Sequence, residues 1–146
     1  MADRIKRAGS RGAGLLAIGL IATPTLAQDN MVGKWVTTDF GRYDVPAEEI
    51  AGLCAEGFEQ HYEDGTFVAF DLTGGSPVIT LVGTCDYVGP DVTCTYQPDN
   101  FDDPIFEVYT DRLKRIDDDI VGLTALDEDG RPDPDLSWTY HRCAEG

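Results

Sequence analysis

From residue 32 onward the chain alternates between short β-rich runs and clusters of turn-forming residues, and this rhythm narrows its possible folds more than any other feature. Residues 32–38 open it, with β-branched side chains around Trp35. Residues 58–62 and 66–71 flank Glu63-Asp64-Gly65, where Asp-Gly readily supplies positive φ, a strong hairpin signal. Residues 78–87 and 92–96 form a second hairpin, and 105–116 with 120–126 a third around Asp117-Asp118-Asp119. Residues 136–143 make the last strand, while 74–77, 97–104 and 127–135 read as breaks or loops rich in Gly, Pro and Asp. A short helix is predicted after the first strand. Asp44 caps it, Pro46 lies in its first turn, Glu48 and Glu49 sit near its positive end, and Ile50, Leu53 and Cys54 share a face.

Eight antiparallel strands in meander order close most economically into an up-and-down barrel, which leaves no open edge. The expected fold is therefore all-β: an eight-stranded barrel with one short helix after the first strand. A barrel of that strand number is either filled by side chains or holds one small ligand. Alternation places Phe58, Gln60 and Tyr62 on one face and Glu59, His61 and Glu63 on the other. Likewise Leu136, Trp138 and Tyr140 alternate with Ser137, Thr139 and His141. His61 and His141 thus fall on polar faces and are expected to meet solvent.

The first twenty-seven residues place the protein. Arg4, Lys6, Arg7 and Arg11 precede an apolar run from Ala13 to Ala22, and small residues lead through Ala27 to the polar Gln28-Asp29-Asn30. This is the pattern of a secretory signal peptide cut after Ala27, leaving one domain over 28–146 in the periplasm or outside the cell. The apolar run is about half the length a membrane-spanning helix needs, so no membrane association is expected once the leader is removed. The leader takes four of the eleven basic residues and one of the twenty-seven acids. Seven Lys and Arg then face twenty-six Asp and Glu, a formal −19. A field of that sign repels phosphate backbones, which excludes nucleic acid as a partner, and a soluble monomer is expected.

Four cysteines in an exported chain imply two disulfides. Their gaps are too wide and irregular for a zinc knuckle. Cys85 and Cys94 flank a hairpin that turns between Val88 and Asp91. With Gly89-Pro90 as a two-residue loop they sit opposite each other on one face; with Pro90-Asp91 instead, Cys85 would face Tyr96. The first register pairs Cys85 with Cys94 and leaves Cys54 for Cys143. Loop entropy gives the short bridge about 3 kcal/mol and the long one about 4.5 kcal/mol.

Gly33-Lys34-Trp35 at the head of the first strand resembles the Gly-x-Trp signature of lipocalins and related calycin barrels. The resemblance implies that Trp35 packs across the barrel bottom with a basic residue from late in the chain over it, either Arg142 or Arg115. Gly33, Trp35 and Arg142 are then structural. The leader, the strand count, the early helix and a cysteine near the C terminus extend the likeness to the small barrels of bacterial exported proteins, which include ligand carriers and protease inhibitors.

Other candidates have bland rivals. Two histidines cannot build a metal centre without carboxylates. Asp127-Glu128-Asp129-Gly130 with Asp133 and Asp135 is dense in oxygen ligands, yet an EF-hand register puts Ala125 first and Leu136 twelfth, so a solvated loop is preferred to calcium. Arg112 and Lys114 share a face, with Asp111 and Asp117 as surface neutralisers. No Ser-His-Asp spacing, Gly-x-Ser-x-Gly or His-Glu-x-x-His appears, so no catalytic residue, metal or cofactor is assigned. The preferred function is an exported barrel holding a small apolar or amphipathic molecule, with Tyr62, Phe67, Tyr87, Tyr96, Tyr109 and Trp138 as candidate lining. The alternative is an inhibitor-like module that grips a protein partner through its loops at 97–104 and 127–135. An enzyme has no motif in its favour.

Overall fold

The computed structural model describes residues 30–98 and 107–145. Residues 1–27, read from the sequence as a signal peptide, lie outside them, as does most of the loop expected at 97–104. Eight strands follow one another around a closed antiparallel barrel: β1 (Gly33–Asp39), β2 (Gly57–His61), β3 (Thr66–Asp71), β4 (Val78–Val88), β5 (Asp91–Pro98), β6 (Glu107–Arg115), β7 (Ile120–Leu126) and β8 (Pro132–Arg142). β8 pairs back onto β1, so every strand has two neighbours. This is the expected up-and-down architecture. One helix, α1 (Ala47–Glu56), lies between β1 and β2. Among the described residues no helix is long and apolar enough to cross a membrane.

The turns were read well where glycine chemistry fixes them. Val88 pairs with Asp91 around the two-residue loop Gly89-Pro90, and Gly65 and Gly89 take positive φ. Three boundaries differ from expectation. Asp44 does not cap α1: Pro46 occupies the cap position and no side chain bonds the first turn. β5 runs on through Gln97 to Pro98, because pairing with Leu81 and Val82 continues the ladder. β8 begins at Pro132, not Leu136, so the acidic loop shrinks to a turn. There the Asp127 carboxylate accepts from the Asp129 and Arg131 amides.

The register decides what faces inward. Trp35 pairs with Glu59 and Arg142, His61 with Phe67, Phe67 with Gly83, Tyr96 with Glu107, and Asp111 with both Val92 and Ala125. Residues opposite each other share a face, so this set lines the interior. The core packs Met31, Trp35, Phe67, Val92, Leu113, Val121, Leu123 and Tyr140 with the Cys85–Cys94 bridge. Gly83 has no side chain because the Phe67 ring lies against its backbone, where a β-carbon would overlap the ring.

The two histidines correct the sequence reading: His61 is 7% exposed and His141 4%. His61 points into the barrel, its ring stacked on Phe67 at 5.1 Å, and donates from Nε2 to the Glu59 carboxylate at 3.0 Å. Its apolar neighbours Phe58 and Phe70 pack on the outside, where the Lys34 ammonium sits 4.9 Å from the Phe58 ring centroid. His141 does face outward, but its polar face is covered by the chain leaving β1. The Gly41 amide donates to Thr139 Oγ1, and His141 Nε2 donates to the Arg42 carbonyl.

Both disulfides form as expected, Cys85–Cys94 inside the barrel and Cys54–Cys143 from α1 to the residue after β8. Cys85 and Cys94 stand 4.1 Å apart at Cα, as a close cross-strand pair requires.

Candidate functional site: a cavity at the barrel mouth

The two ends of the barrel are built differently. One end carries the turns at 62–65, 89–90 and 116–119 together with Gly33 and Arg142. It forms a floor. Trp35 is fully buried there and donates its indole N–H to the Met31 carbonyl at 2.7 Å. The Arg142 guanidinium lies over the indole, 4.3 Å from the ring centroid, and donates to the Val32 and Asp118 carbonyls. Arg142, not Arg115, therefore fills the position that the sequence resemblance reserved for a late basic residue. Gly33 is required by the same contact. It adopts φ +126°, and a β-carbon would overlap Arg142 Nη1.

Among the described residues the other end is open. A cavity of about 320 Å³ lies among β4 to β8, walled by Leu81, Tyr96, Tyr109, Trp138 and Tyr140, with Ala125 and Leu136 closing its sides. Two carboxylates complete it, Glu107 and Asp111. Leu136 reaches the rim because the β7–β8 register shifts between Thr124 and Ala125: Thr124 pairs with Ser137 but Ala125 with Asp133, which pushes out three extra residues of β8. The Tyr96 and Tyr109 rings meet nearly edge to face, 5.6 Å apart at 65°. The Tyr109 hydroxyl donates to Glu107 at 2.9 Å and pins that corner.

Of the six aromatic residues expected to line a ligand site, the structure brings three together: Tyr96, Tyr109 and Trp138. Phe67 is core, at the level of His61. Tyr62 and Tyr87 flank a separate surface depression at the floor end, and the Tyr87 hydroxyl accepts from the Met31 amide.

Sequence reasoning missed Asp111. The sequence makes it a surface neutraliser of Arg112 and Lys114, yet Arg112 points outward to Asp91 at 3.0 Å. Asp111 points inward and is 8% exposed. Its parity with Tyr109 and Leu113 was the available signal. Among the described residues it has no hydrogen-bond or ion-pair partner, and burial pushes its pKa up to about 6. The neighbouring phenols respond in the same sense. Burial raises the pKa of Tyr96, Tyr140 and Tyr87, with Asp111 adding to the first two and Glu59 to all three.

Chemically, the cavity offers large aromatic faces, a few convergent polar atoms and an exposed rim. That combination suits reversible capture of a small molecule. Among the described residues no three His, Cys, Asp or Glu side chains are grouped to hold a metal ion. No protein-family model matches the chain, and no curated protein matches it.

Proposed function

We propose that this protein is an exported, lipocalin-like barrel that binds a small apolar or amphipathic molecule in the mouth cavity. The observation that carries the reading is a roughly 320 Å³ opening walled by Tyr96, Tyr109, Trp138 and Tyr140, above an interior that is otherwise packed. Its size and aromatic lining lie in the range of small-ligand pockets. The guanidinium of Arg142 over Trp35 supports the family resemblance, and the two disulfides support an oxidising compartment. Titration with the neutral dye N-phenyl-1-naphthylamine tests the binding reading. Dye emission should rise on binding and the rise should vanish in Trp138→Ala. Emission that stays flat, or that survives this change intact, would sink it.

A second reading has one observation in its favour. Val78, Ile79, Val108, Leu136 and Trp138 are all exposed at the mouth end, forming an apolar rim that a protein partner could cover. Native mass spectrometry of material from its own source separates the two, because a carrier retains a small mass and an interaction module retains a protein.

A further inference from the structure

We propose that the mouth cavity is selective for small organic cations, an aryl- or alkylammonium whose charged nitrogen sits on Asp111 and whose apolar body lies against Trp138 and the tyrosines. The inference deepens the carrier reading and rests on it.

The argument begins with an uncompensated charge. Asp111 is 8% exposed as a residue, lines the cavity with carboxylate oxygens that remain accessible from it, and has no hydrogen-bond or ion-pair partner among the described residues. A buried carboxylate is costly unless it is paired. The described residues do not supply the pair. Arg112, next in sequence, is turned to the outer face and held by Asp91, and Arg142 is committed to the floor. A ligand cation would supply it. The walls favour the same sign of charge, since aromatic faces attract cations through their quadrupoles and do so more strongly when water is excluded. Tyr96 and Tyr109, set nearly perpendicular, present such faces at one corner, and Glu107 adds a second carboxylate at the rim. Among the described residues no lysine or arginine lines the cavity to bind an anion. The formal charge of −16 over the whole chain steers cations toward the protein.

Four probes of similar size test this: phenethylammonium, its N,N,N-trimethyl derivative, neutral 2-phenylethanol and anionic 3-phenylpropionate, each titrated calorimetrically. Both cations should bind at least tenfold more tightly than the alcohol, and the anion should not bind. Asp111→Asn should lose that tenfold preference while keeping the affinity for the alcohol. The trimethyl probe keeps its charge at every pH, so its affinity reads the protein alone. It should fall about tenfold from pH 7 to pH 5 as Asp111 takes up a proton. The other titratable groups that line the cavity with Asp111 are Glu107 and Tyr109 on its own strand, Tyr96 on β5 and Tyr140 on β8, and behind them Glu59 on β2 and Tyr87 on β4 act on Tyr96 and Tyr140. Among them, a Glu107→Gln variant should leave the midpoint near pH 6.

Equal binding of cation and alcohol, with both lost in Trp138→Ala, would overturn the cation inference and leave the carrier reading standing. Binding of none of the four would overturn both. Unchanged cation affinity in Asp111→Asn would overturn the assignment of that residue.

Discussion

The guanidinium of Arg142 sits over Trp35 with its carbon 4.3 Å from the indole centroid, joining the last strand of the barrel to the first. The contact does three things at once. It covers the largest buried side chain, closes the β1–β8 seam, and satisfies the Val32 and Asp118 carbonyls at the floor.

Trp35→Ala should therefore cost about 3–5 kcal/mol, the range for emptying an aromatic site in a core that cannot collapse. Arg142→Ala should cost roughly 2–3 kcal/mol from the lost cation–π contact and charged hydrogen bonds. Because both remove one contact, the double variant should be less destabilised than the sum of the two. Urea melts of the four proteins provide the cycle, and strict additivity would mean the residues do not cooperate.

Gly33→Ala should destabilise for a different reason. Its φ of +126° disfavours any side chain, and the new methyl would also push against Arg142. The loss should be nearly absent in an Arg142→Ala background if displacement dominates, and should persist there if backbone strain dominates. Thermal denaturation of both backgrounds distinguishes these outcomes.

Asp111→Asn should stabilise the free protein at neutral pH. The carboxyl's folded pKa of about 6 lies above its unfolded value near 3.8, so ionisation opposes folding. The contribution of Asp111 is most favourable below about pH 4, where both states are protonated, and is lost as pH rises through 6. At pH 7 the cost is about 2–3 kcal/mol. The variant's advantage in chemical denaturation should thus be nearly absent below the unfolded value near 3.8, grow as pH rises toward 6 and level off above that. A constant gap across that window would refute the assignment.

The two bridges should differ in weight. Cys54→Ser with Cys143→Ser opens a loop spanning a separation of 89 residues, against 9 for Cys85 and Cys94. Loop entropy gives about 4.5 kcal/mol for the first and about 3 kcal/mol for the second. The inner bridge is also packed in the core, so replacing it with two serines adds a burial penalty that replacement with two alanines does not. Comparing serine and alanine pairs at each bridge isolates that term.

Much of the barrel was legible because its information is local. Hairpin loops at Gly65 and Gly89 announce themselves through conformations that favour glycine, and of the two registers the second loop allows, the structure takes the one with Gly89-Pro90 at the tip and Cys85 opposite Cys94. The inward direction was less legible. Period two shows that Glu59 and His61 share a face but not which face is enclosed, and the aromatic Phe58 suggested the wrong one. On β8 both faces are covered, one by the barrel and the other by the segment that crosses Thr139 and His141. Asp111 was hidden by its neighbours, since an acid beside Arg112 and Lys114 reads as surface until β5 and β7 place Val92 and Ala125 opposite it. Leu136 reaches the rim only through a register shift, which leaves no simple trace in composition.

The placement of the covalent links has a mechanical consequence. Cys143 follows directly on Arg142, and the Cys85–Cys94 bridge stands only a few residues from the Gly89-Pro90 turn, so both fasten the same half of the barrel. The opposite half is held by ladder bonds, side-chain packing and hydrogen bonds such as Tyr109 to Glu107, with Trp138 half exposed. Amide exchange should therefore quicken along each strand from the Trp35 end outward. The molecule behaves less like a rigid can than like a cuff stitched at one hem, able to widen and narrow without coming undone.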